Sequence, residues 1–486
     1  MGEGITGVRV AHSDNHAMSD LSSDVRKDQF DKASHLEDVS TYEPEAPPVD
    51  APINWPAWKR NAQILMVAFH SMDTVFMAAG IIPGYDAMAA AYNVTVPEAS
   101  YLTSAQILVL GIAPFFWIPL IARFGRYHIF MLSVLVSMVL NIGGAYCKTF
   151  GAQMTTRVLV AWFIAPPIGI GSGVVTELCY PEERGQKIGW WTLMTVLGIP
   201  GGAFINGFVA QHLGFEWIFF IFAIINAAQF IAYVLLGDET LYVKDSPQPR
   251  QTGLARFIPH RLDHRAIKFG DFFRPLSLAK FPRVLIPAIA HAVSFAYANI
   301  AVIVETPLTF GEKFHFNAQQ VGYQFAAVII GSLIGEQISG PMSDWFLKTL
   351  RRRKGHTIPA DRLWLSYIGF GTVIAGLLTW GFQLEKASTW NITPSIGMAI
   401  DSFGNQILTT TLISFAVDSH REYSSSVGVF INMFRQIYGF LGPFYFPDMY
   451  AALGLGGAAG LMCGLIVVVS LAPTIIIQVI DSRRNQ

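Results

Sequence analysis

The hydrophobic positions of this chain fall into twelve long stretches separated by polar loops. Each stretch holds about 20 residues, the length of a helix that crosses the roughly 30 Å hydrocarbon core of a bilayer. Lipid offers the backbone no hydrogen-bond partners, so each stretch must be helical. The pattern predicts an all-α membrane protein with twelve transmembrane helices.

The predicted spans, numbered 1 to 12, form two sets of six on either side of one long polar segment. Spans 1 to 6 cover Ala62–Pro83, Ser100–Ile121, His128–Tyr146, Met154–Glu177, Ile188–Gln211 and Glu216–Gly237. Spans 7 to 12 cover Val284–Pro307, Gln319–Met342, Leu363–Gln383, Pro394–Val417, Ser424–Phe446 and Ala451–Val479.

Composition divides the rest of the chain. Residues 1–50 hold 11 acidic and 4 basic side chains with few aromatics, which predicts a disordered cytoplasmic tail over residues 1–58. Residues 59–237 and 283–480 are predicted to be two six-helix bundles, related as pseudo-repeats. Residues 238–282 are then a cytoplasmic linker, and residues 481–486 a cytoplasmic tail.

Basic residues set the predicted orientation, because Lys and Arg concentrate in cytoplasmic loops. With the N-terminus inside, the segment from Lys244 to Arg283 alone places nine Lys and Arg on the cytoplasmic side. The outer loops hold only Lys148, Lys313 and Lys386. Both termini are therefore predicted to be cytoplasmic. The two Asn-x-Ser/Thr sequons, at Asn93 and Asn391, fall outside and are candidate glycosylation sites.

Composition also excludes several functions. Charged residues make up 14% of the chain, against about 25% in soluble proteins. A net charge of -1 does not provide the basic surface that nucleic-acid binding requires. The sequence has no Walker A loop and no Cys/His spacing typical of a metal site. We therefore expect no metal, no cofactor and no enzymatic activity.

Ionisable side chains inside the spans are the candidate substrate and proton pathway, because a charge within a bilayer is costly and normally faces the protein interior. The candidates are His70, Asp73, Arg157, His291, Glu305, Glu336, Asp401 and Arg435. Each also has a structural interpretation: the histidines and acids as packing or tie points, the two arginines in internal ion pairs. An arginine is always charged, so it requires either a carboxylate partner or an anionic substrate.

Spacing groups some of these residues. His70 and Asp73 are three apart on span 1 and share a helical face. Burial disfavours a charged carboxylate, so Asp73, helped by His70 or an acid of the second half, is predicted to exchange a proton. His291 and Glu305 are 14 apart on span 7, close to four helical turns. They are predicted to lie on one stripe.

Proline and glycine interrupt corresponding spans of the two halves. Span 5 carries the run from Gly198 to Gly202, which includes Pro200, and span 11 carries Gly442-Pro443. Matching interruptions of this kind indicate alternating access, with the site between the halves. Pro166-Pro167 is predicted to break span 4 at mid-depth.

The loop after span 2 reads Ala122-Arg123-Phe124-Gly125-Arg126, and the loop after span 8 repeats Gly340 and Asp344. With these motifs, the chain from Trp58 onward resembles the major facilitator superfamily, and most closely the fungal twelve-span drug:proton antiporter-like group, which includes polyamine and metabolite carriers. The family signature is Gly-x-x-x-Asp-Arg-x-Gly-Arg, in which Ile118 and Ala122 replace the Gly and the Asp. The resemblance implies gating roles for Arg123, Gly125, Arg126, Pro200, Gly201, Gly202, Gly340 and Asp344.

The resemblance implies a secondary active transporter that exports a small organic compound (a secondary metabolite, organic acid or drug) in a proton-coupled, alternating-access cycle. One alternative is proton-coupled uptake of an organic cation such as a polyamine. A more remote alternative is a non-transporting membrane sensor. We expect a monomer in the plasma membrane whose partners are the lipid bilayer, the organic substrate and protons.

Overall fold

The computed structural model describes residues 51–180, 183–242, 262, 269–354, 358–420 and 423–484. Most of the predicted N-terminal tail and of the linker lies outside these residues. Contacts divide the chain into two units, and residues 51–54 of the first form a short 3-10 helix, Pro52–Asn54. The second unit begins at Trp55. Its described residues form helices and connecting segments, with no strand among them.

Helices lie at all six predicted positions in the first half. They cover Ala57–Ala79 for span 1, Val96–Phe124 for span 2, Arg126–Ala145 for span 3, Phe150–Ile164 and Pro166–Leu178 for span 4, Arg184–Leu213 for span 5 and Glu216–Leu236 for span 6. Between spans 1 and 2 lie a 3-10 turn, Ile82–Gly84, and a short helix, Tyr85–Tyr92. Span 4 is interrupted at Ala165, directly before the two prolines.

Helices also lie at the six positions of the second half. They cover Pro282–Phe295 for span 7, Ala318–Lys354 for span 8, Leu363–Lys386 for span 9, Thr393–Ser419 for span 10, Ser424–Leu441 for span 11, and Phe446–Leu465 with Ala472–Arg484 for span 12. Before span 7, the described end of the linker forms a helix, Phe269–Phe273, and a 3-10 helix, Arg274–Lys280. Shorter elements are Glu312–Phe314 and the 3-10 helices Pro359–Arg362 and Gly442–Phe444.

Three stretches of the second half depart from regular α-helix. Span 7 continues beyond Phe295 as two π-helical segments, Ala296–Val304 and Pro307–Gly311, and span 12 contains a third, Ile466–Leu471. The stretch Phe446–Leu465 is kinked at Gly454, whose φ of 70° is a left-handed conformation that glycine adopts freely. Phe446 was predicted to end span 11 but begins the helix that leads into span 12.

Ten of the described helical segments are long and apolar enough to cross a membrane. The helices of spans 10 and 11 are not among the ten. Span 10 has 27 residues but carries a polar group around Asp401 and Asn405. Span 11 has 18 residues and carries Arg435. Both helices are nevertheless near or above the length that crosses the hydrocarbon core.

The outer surface of the helices is suited to lipid. Large apolar side chains are exposed along the spans, among them Ile224, Leu235 and Val468. Exposed aromatic residues lie near the span ends: Trp58, Trp345 and Trp364 toward the predicted cytoplasmic side, and Tyr146, Trp217 and Trp390 toward the other. Tryptophan and tyrosine are enriched at the two membrane interfaces, where their rings contact both apolar and polar groups.

Span packing places four helices at the junction of the two halves. Within the first half, span 1 packs on span 5 and span 3 on span 6. Within the second, span 10 packs on spans 8 and 9. Across the halves, span 5 packs against span 8 and span 2 against span 11. The space between these two pairs is where a central site is positioned.

Candidate functional site

A cavity of about 40 Å³ lies between the halves. Its wall comes from spans 1, 2 and 5 on one side and spans 7 and 11 on the other. The lining residues are Val75, Ala78, Ala79, Ile82, Thr103, Ile107, Leu110, Ile199, Phe295, Asn299, Ile300, Ile303, Val304, Arg435 and Gln436. Ligand pockets usually measure about 300–1,000 Å³, so the halves must separate further for a substrate to enter.

Arg435 is the one predicted pathway residue that lines this cavity. One guanidinium nitrogen, Nη2, donates to Asn432 Oδ1 at 2.8 Å, and Nε has no hydrogen-bond partner. The guanidinium lies 4.7 Å from the centroid of the Phe295 ring. Within the described part of the chain no carboxylate forms an ion pair with Arg435. The internal ion pair considered for this residue is therefore not found.

The Arg157 side chain is buried within the first half, and its contacts lie there. Its Nη2 donates to the backbone carbonyl of Met77 on span 1 and to the side-chain oxygen of Gln106 on span 2. The guanidinium centre lies 5.6 Å and 5.8 Å from the ring centroids of Phe222 and Phe219 on span 6. Arg157 thus ties three helices to span 4, again without an ion pair among the described residues.

His70 and Asp73 lie on one face of span 1, but they do not pair with each other. His70 Nδ1 lies 3.0 Å from the hydroxyl of Tyr233 on span 6, and Nε2 lies 3.2 Å from the hydroxyl of Ser133 on span 3. Asp73 is completely buried, and neither of its carboxylate oxygens has a hydrogen-bond partner. The imidazole is held by other helices, which leaves the carboxyl group as the isolated group on this face.

Asp401 is the counterpart in the second half. It is completely buried on span 10, and both of its oxygens also lack a hydrogen-bond partner. Span 9 approaches closely at this point, because Gly376 lies directly against the backbone of Asp401. Among the described residues, Asp73 and Asp401 are thus the carboxyl groups with both oxygens buried and unpartnered, one in each half, and neither group lines the cavity.

The other two acids belong to spans 7 and 8. Glu336, on span 8, lies close to Thr192 of span 5, where the two halves pack together. Glu305 follows the first π-helical segment of span 7 and is 2% exposed, and its Oε1 has no hydrogen-bond partner. Neither acid lines the cavity.

Span 7 brings both a predicted and an unpredicted residue to the cavity. His291 Nε2 lies 3.0 Å from the hydroxyl of Thr409 on span 10. The stripe predicted along span 7 runs from His291 through Phe295 and Ala298 to Glu305. Of this stripe Phe295 lines the cavity and Ala298 does not, and Asn299, four residues after Phe295, lines it as well. Asn299 is a site residue that the sequence analysis did not identify.

The loop after span 2 forms a network that closes the predicted cytoplasmic end of the first half. Arg126 Nη2 donates to Glu177 Oε1 at 2.8 Å. Glu239, after span 6, accepts from the backbone N–H groups of Arg126 (3.0 Å) and Tyr127 (3.1 Å) at the first turn of span 3. A carboxylate at a helix N-terminus satisfies free N–H groups and interacts favourably with the helix dipole. Glu239 thus supplies the acid that Ala122 lacks.

Burial raises the pKa of Glu239, while hydrogen bonds from the backbone N–H groups of Arg126, Leu241 and Tyr127 and the charge of Arg126 act in the opposite direction. Gly125 is required beside it. Its φ is 83°, and a Cβ there would overlap the Glu239 carboxylate. Arg123 contributes its backbone carbonyl, which accepts the N–H of Leu262 at 2.9 Å. Glu239 was not predicted as a site residue, because its role depends on contacts with residues more than 100 positions away in the sequence.

Glycine allows close packing at other predicted gating positions. A Cβ at Gly198 or Gly202 would overlap the backbone of span 1 at Met72 or Phe76, while Gly201 and Gly340 face open space. Pro200 lies inside the continuous helix of span 5. The side chain of Asp344 lies outside the described part of the structure.

A second charged cluster lies after span 8. Arg362 Nε donates to Asp418 Oδ2 at 2.7 Å, and Nη1 donates to Ser343 Oγ at 2.9 Å. Neither Arg362 nor Asp418 was predicted as a site residue, and nothing in their local sequence marks them.

Replacing Glu239 with Gln should loosen the loop network. The amide retains one acceptor oxygen and places an NH₂ group against a backbone N–H, which leaves a donor unpaired at a cost of about 1–3 kcal/mol. We expect a lower melting temperature and a several-fold lower transport rate in vesicles. The control is Asp238→Asn, which removes a partly exposed ion pair with Lys59 worth about 0–1 kcal/mol. Equal effects of the two variants would contradict the role of Glu239.

Comparison with known families places the chain among transporters. The model of the Major Facilitator Superfamily matches residues 64–443. The chain is similar to an MFS-type transporter of Stereocaulon alpinum, 26% identical over 425 residues that cover 85% of this chain and 76% of the relative. It is also similar to a probable efflux pump of Aspergillus flavus, 24% identical over 413 residues that cover 81% of this chain and 95% of that protein.

The fold also matches a solved structure. The crystal structure of a human organic anion transporter superposes with a TM-score of 0.60 and 14% sequence identity, covering 87% of this chain and 99% of that one. At this identity the match concerns the fold alone. It agrees with the all-helical arrangement described above.

Proposed function

The chain belongs to the Major Facilitator Superfamily and is a multi-pass membrane transporter, not an enzyme, and from this premise we propose that it exports a small organic compound in exchange for protons. The observation that carries the proposal is the cavity between the halves, lined by spans 1, 2 and 5 and by spans 7 and 11. A site at the junction of two repeats is exposed to each side in turn when the repeats rock against each other.

Proton coupling is supported by Asp73 and Asp401. A buried carboxylate without a hydrogen-bond donor is strongly destabilised, whereas its protonated form is tolerated. Ionisable groups at such positions mark proton pathways in membrane transporters. Asp73, on a helix that also lines the cavity, is proposed as the group that takes up and releases the proton, and Asp401 as its second-half counterpart.

The direction of transport rests on the relatives, one of which is named a probable efflux pump. The predicted orientation, with both termini in the cytoplasm, and a plasma-membrane location belong to the same proposal. Asn93 and Asn391 are both exposed, as glycosylation at the outer surface would require.

Metabolite profiling of a deletion strain tests the export proposal. Compounds of the cells and of the medium are compared between a strain that lacks the gene and the same strain with the gene restored. Export predicts at least one compound that accumulates in the deletion cells and declines in their medium. Restoration should reverse both changes, and a protonophore should abolish that reversal. Depletion inside the deletion cells would indicate uptake instead, and unchanged profiles would argue against transport of a metabolite.

A further inference from the structure

The wall of the cavity between the halves is mostly apolar and carries a single charged side chain. Four of its lining residues are polar: Thr103, Asn299, Arg435 and Gln436. The others are aliphatic except for Phe295, and no carboxylate is among them. A compound bound against this wall once the halves separate therefore contacts mostly hydrocarbon and one cation.

Two hydrogen-bond donors in this wall have no acceptor. Arg435 Nε on span 11 and Asn299 Nδ2 on span 7 are both buried without a partner. Asn299 is 7% exposed. Buried donors are nearly always paired in proteins, since leaving one unpaired costs about 1–3 kcal/mol. An unpaired amide and an unpaired guanidinium N–H at one cavity indicate that the missing acceptor belongs to a ligand.

The charge of Arg435 indicates which acceptor fits. Its surroundings supply only the neutral side chain of Asn432 and the face of Phe295. Arg435 is partly buried. A cation in such surroundings without a counter-charge is destabilised, and a carboxylate would compensate it through charge-assisted hydrogen bonds. Arg157 also has unpaired donors, Nε and Nη1, but it lies in the interior of the first half, where its Nη2 is bound to a carbonyl and an amide oxygen, and it does not line the cavity.

We propose that the transported compound is an organic anion with a mainly apolar body and one carboxylate, and that Arg435 binds the carboxylate with Asn299 as a second donor. This inference rests on the proposed function, because it names the substrate class of the same cavity. It disfavours an organic cation, whose charge would lie against the guanidinium in an apolar surrounding where repulsion is poorly screened.

Ligand binding without any pH gradient tests this substrate class. The purified full-length protein in nanodiscs is titrated with phenylalkanoic acids of increasing chain length, and with the primary amide and the amine of each. We expect the best acid to bind at least about ten-fold more tightly than its amide, as expected for hydrogen bonds to a charged partner, and the amine to bind weakest. In Arg435→Gln the preference for the acid should disappear, and in Arg435→Lys part of it should remain.

Arg283→Gln is the matched control. It removes the same charge from the end of span 7, where Arg283 pairs with Asp481 at 2.8 Å, and it should leave the preference for acids intact. Binding of none of the acids, equal binding of acid and amine by the wild-type protein, or an unchanged preference in Arg435→Gln would each overturn the proposal. Because binding is measured without transport, a preference for acids in a protein that exports nothing would contradict only the proposed function.

Discussion

Replacing Asp73 with Asn is expected to abolish proton-driven export while leaving the protein folded. Asparagine has nearly the same shape as a protonated aspartic acid but cannot release a proton. Asp73 is completely buried and neither of its oxygens has a partner, so the substitution breaks no hydrogen bond. The neutral side chain also avoids the cost of a buried charge. We expect gradient-driven flux to fall to the level of vesicles without protein.

The measurement is flux into or out of reconstituted vesicles with and without an imposed pH gradient. Exchange of substrate between two sides at equal pH should persist in the variant, because it requires alternating access but no proton release. The control is Asp448→Asn, at an exposed position near the start of the helix of span 12, which should transport as the wild type does. Undiminished, pH-driven flux in Asp73→Asn would remove this residue from the coupling mechanism.

Span 1 connects the proposed proton site with the cavity. His70 and Met77 face spans 3 and 6, where Tyr233, Ser133 and Asn141 contact them. Val75, Ala78 and Ala79, on another face of the same helix, line the cavity. In the proposed mechanism, protonation of Asp73 therefore acts on the helix that forms part of the cavity wall. Such sharing of one rigid element is the physical basis on which two sites can influence each other.

The positions of the helices could be predicted because the information is local. The bilayer requires long apolar stretches, and Pro166 and Pro167 predict the interruption of span 4 because proline removes a backbone donor. The capping box at the start of span 2 is similarly local: Thr95 and Glu98 exchange hydrogen bonds at 3.3 Å and 2.7 Å. By contrast, the π-helical part of span 7 lies in a stretch that is mostly apolar on every face. Its hydrophobic pattern therefore gives no sign of the change in pitch.

The partners of the site residues could not be predicted because they come from distant parts of the chain. Helical spacing correctly places His70 and Asp73 on one face, but Tyr233, 163 residues away, determines where the imidazole binds. Likewise, the absence of an acid at Ala122 suggests an incomplete motif until Glu239 is seen at the N-terminus of span 3. Because span 11 packs against span 2, Arg435 lines the cavity, whereas Arg157 does not.

Substituting valine for Gly207 is expected to stop transport by preventing one end of the bundle from closing. Gly207 of span 5 lies against span 8: an added Cβ would come within 2.9 Å of the Ala318 carbonyl and of the Gly322 Cα. This end carries the loops predicted to be outside, and here Tyr101 of span 2 stacks on Phe444 of the 3-10 helix after span 11, at 4.4 Å between ring centroids. Extra volume in a close contact costs about 1–3 kcal/mol, which shifts a two-state equilibrium about 5- to 150-fold toward the open state.

Labelling from outside distinguishes such trapping from unfolding. A cysteine placed at Ile303, which lines the cavity, is introduced with Cys147→Ser, because Cys147 is partly accessible. A membrane-impermeant maleimide should label it faster in Gly207→Val than in the parent, and Gly322→Val should behave alike, since its Cβ would approach Gly207. Gly460→Val on span 12 faces open space and should change neither labelling nor flux. Slow labelling together with full transport in Gly207→Val would show that this helix contact does not have to form during the cycle.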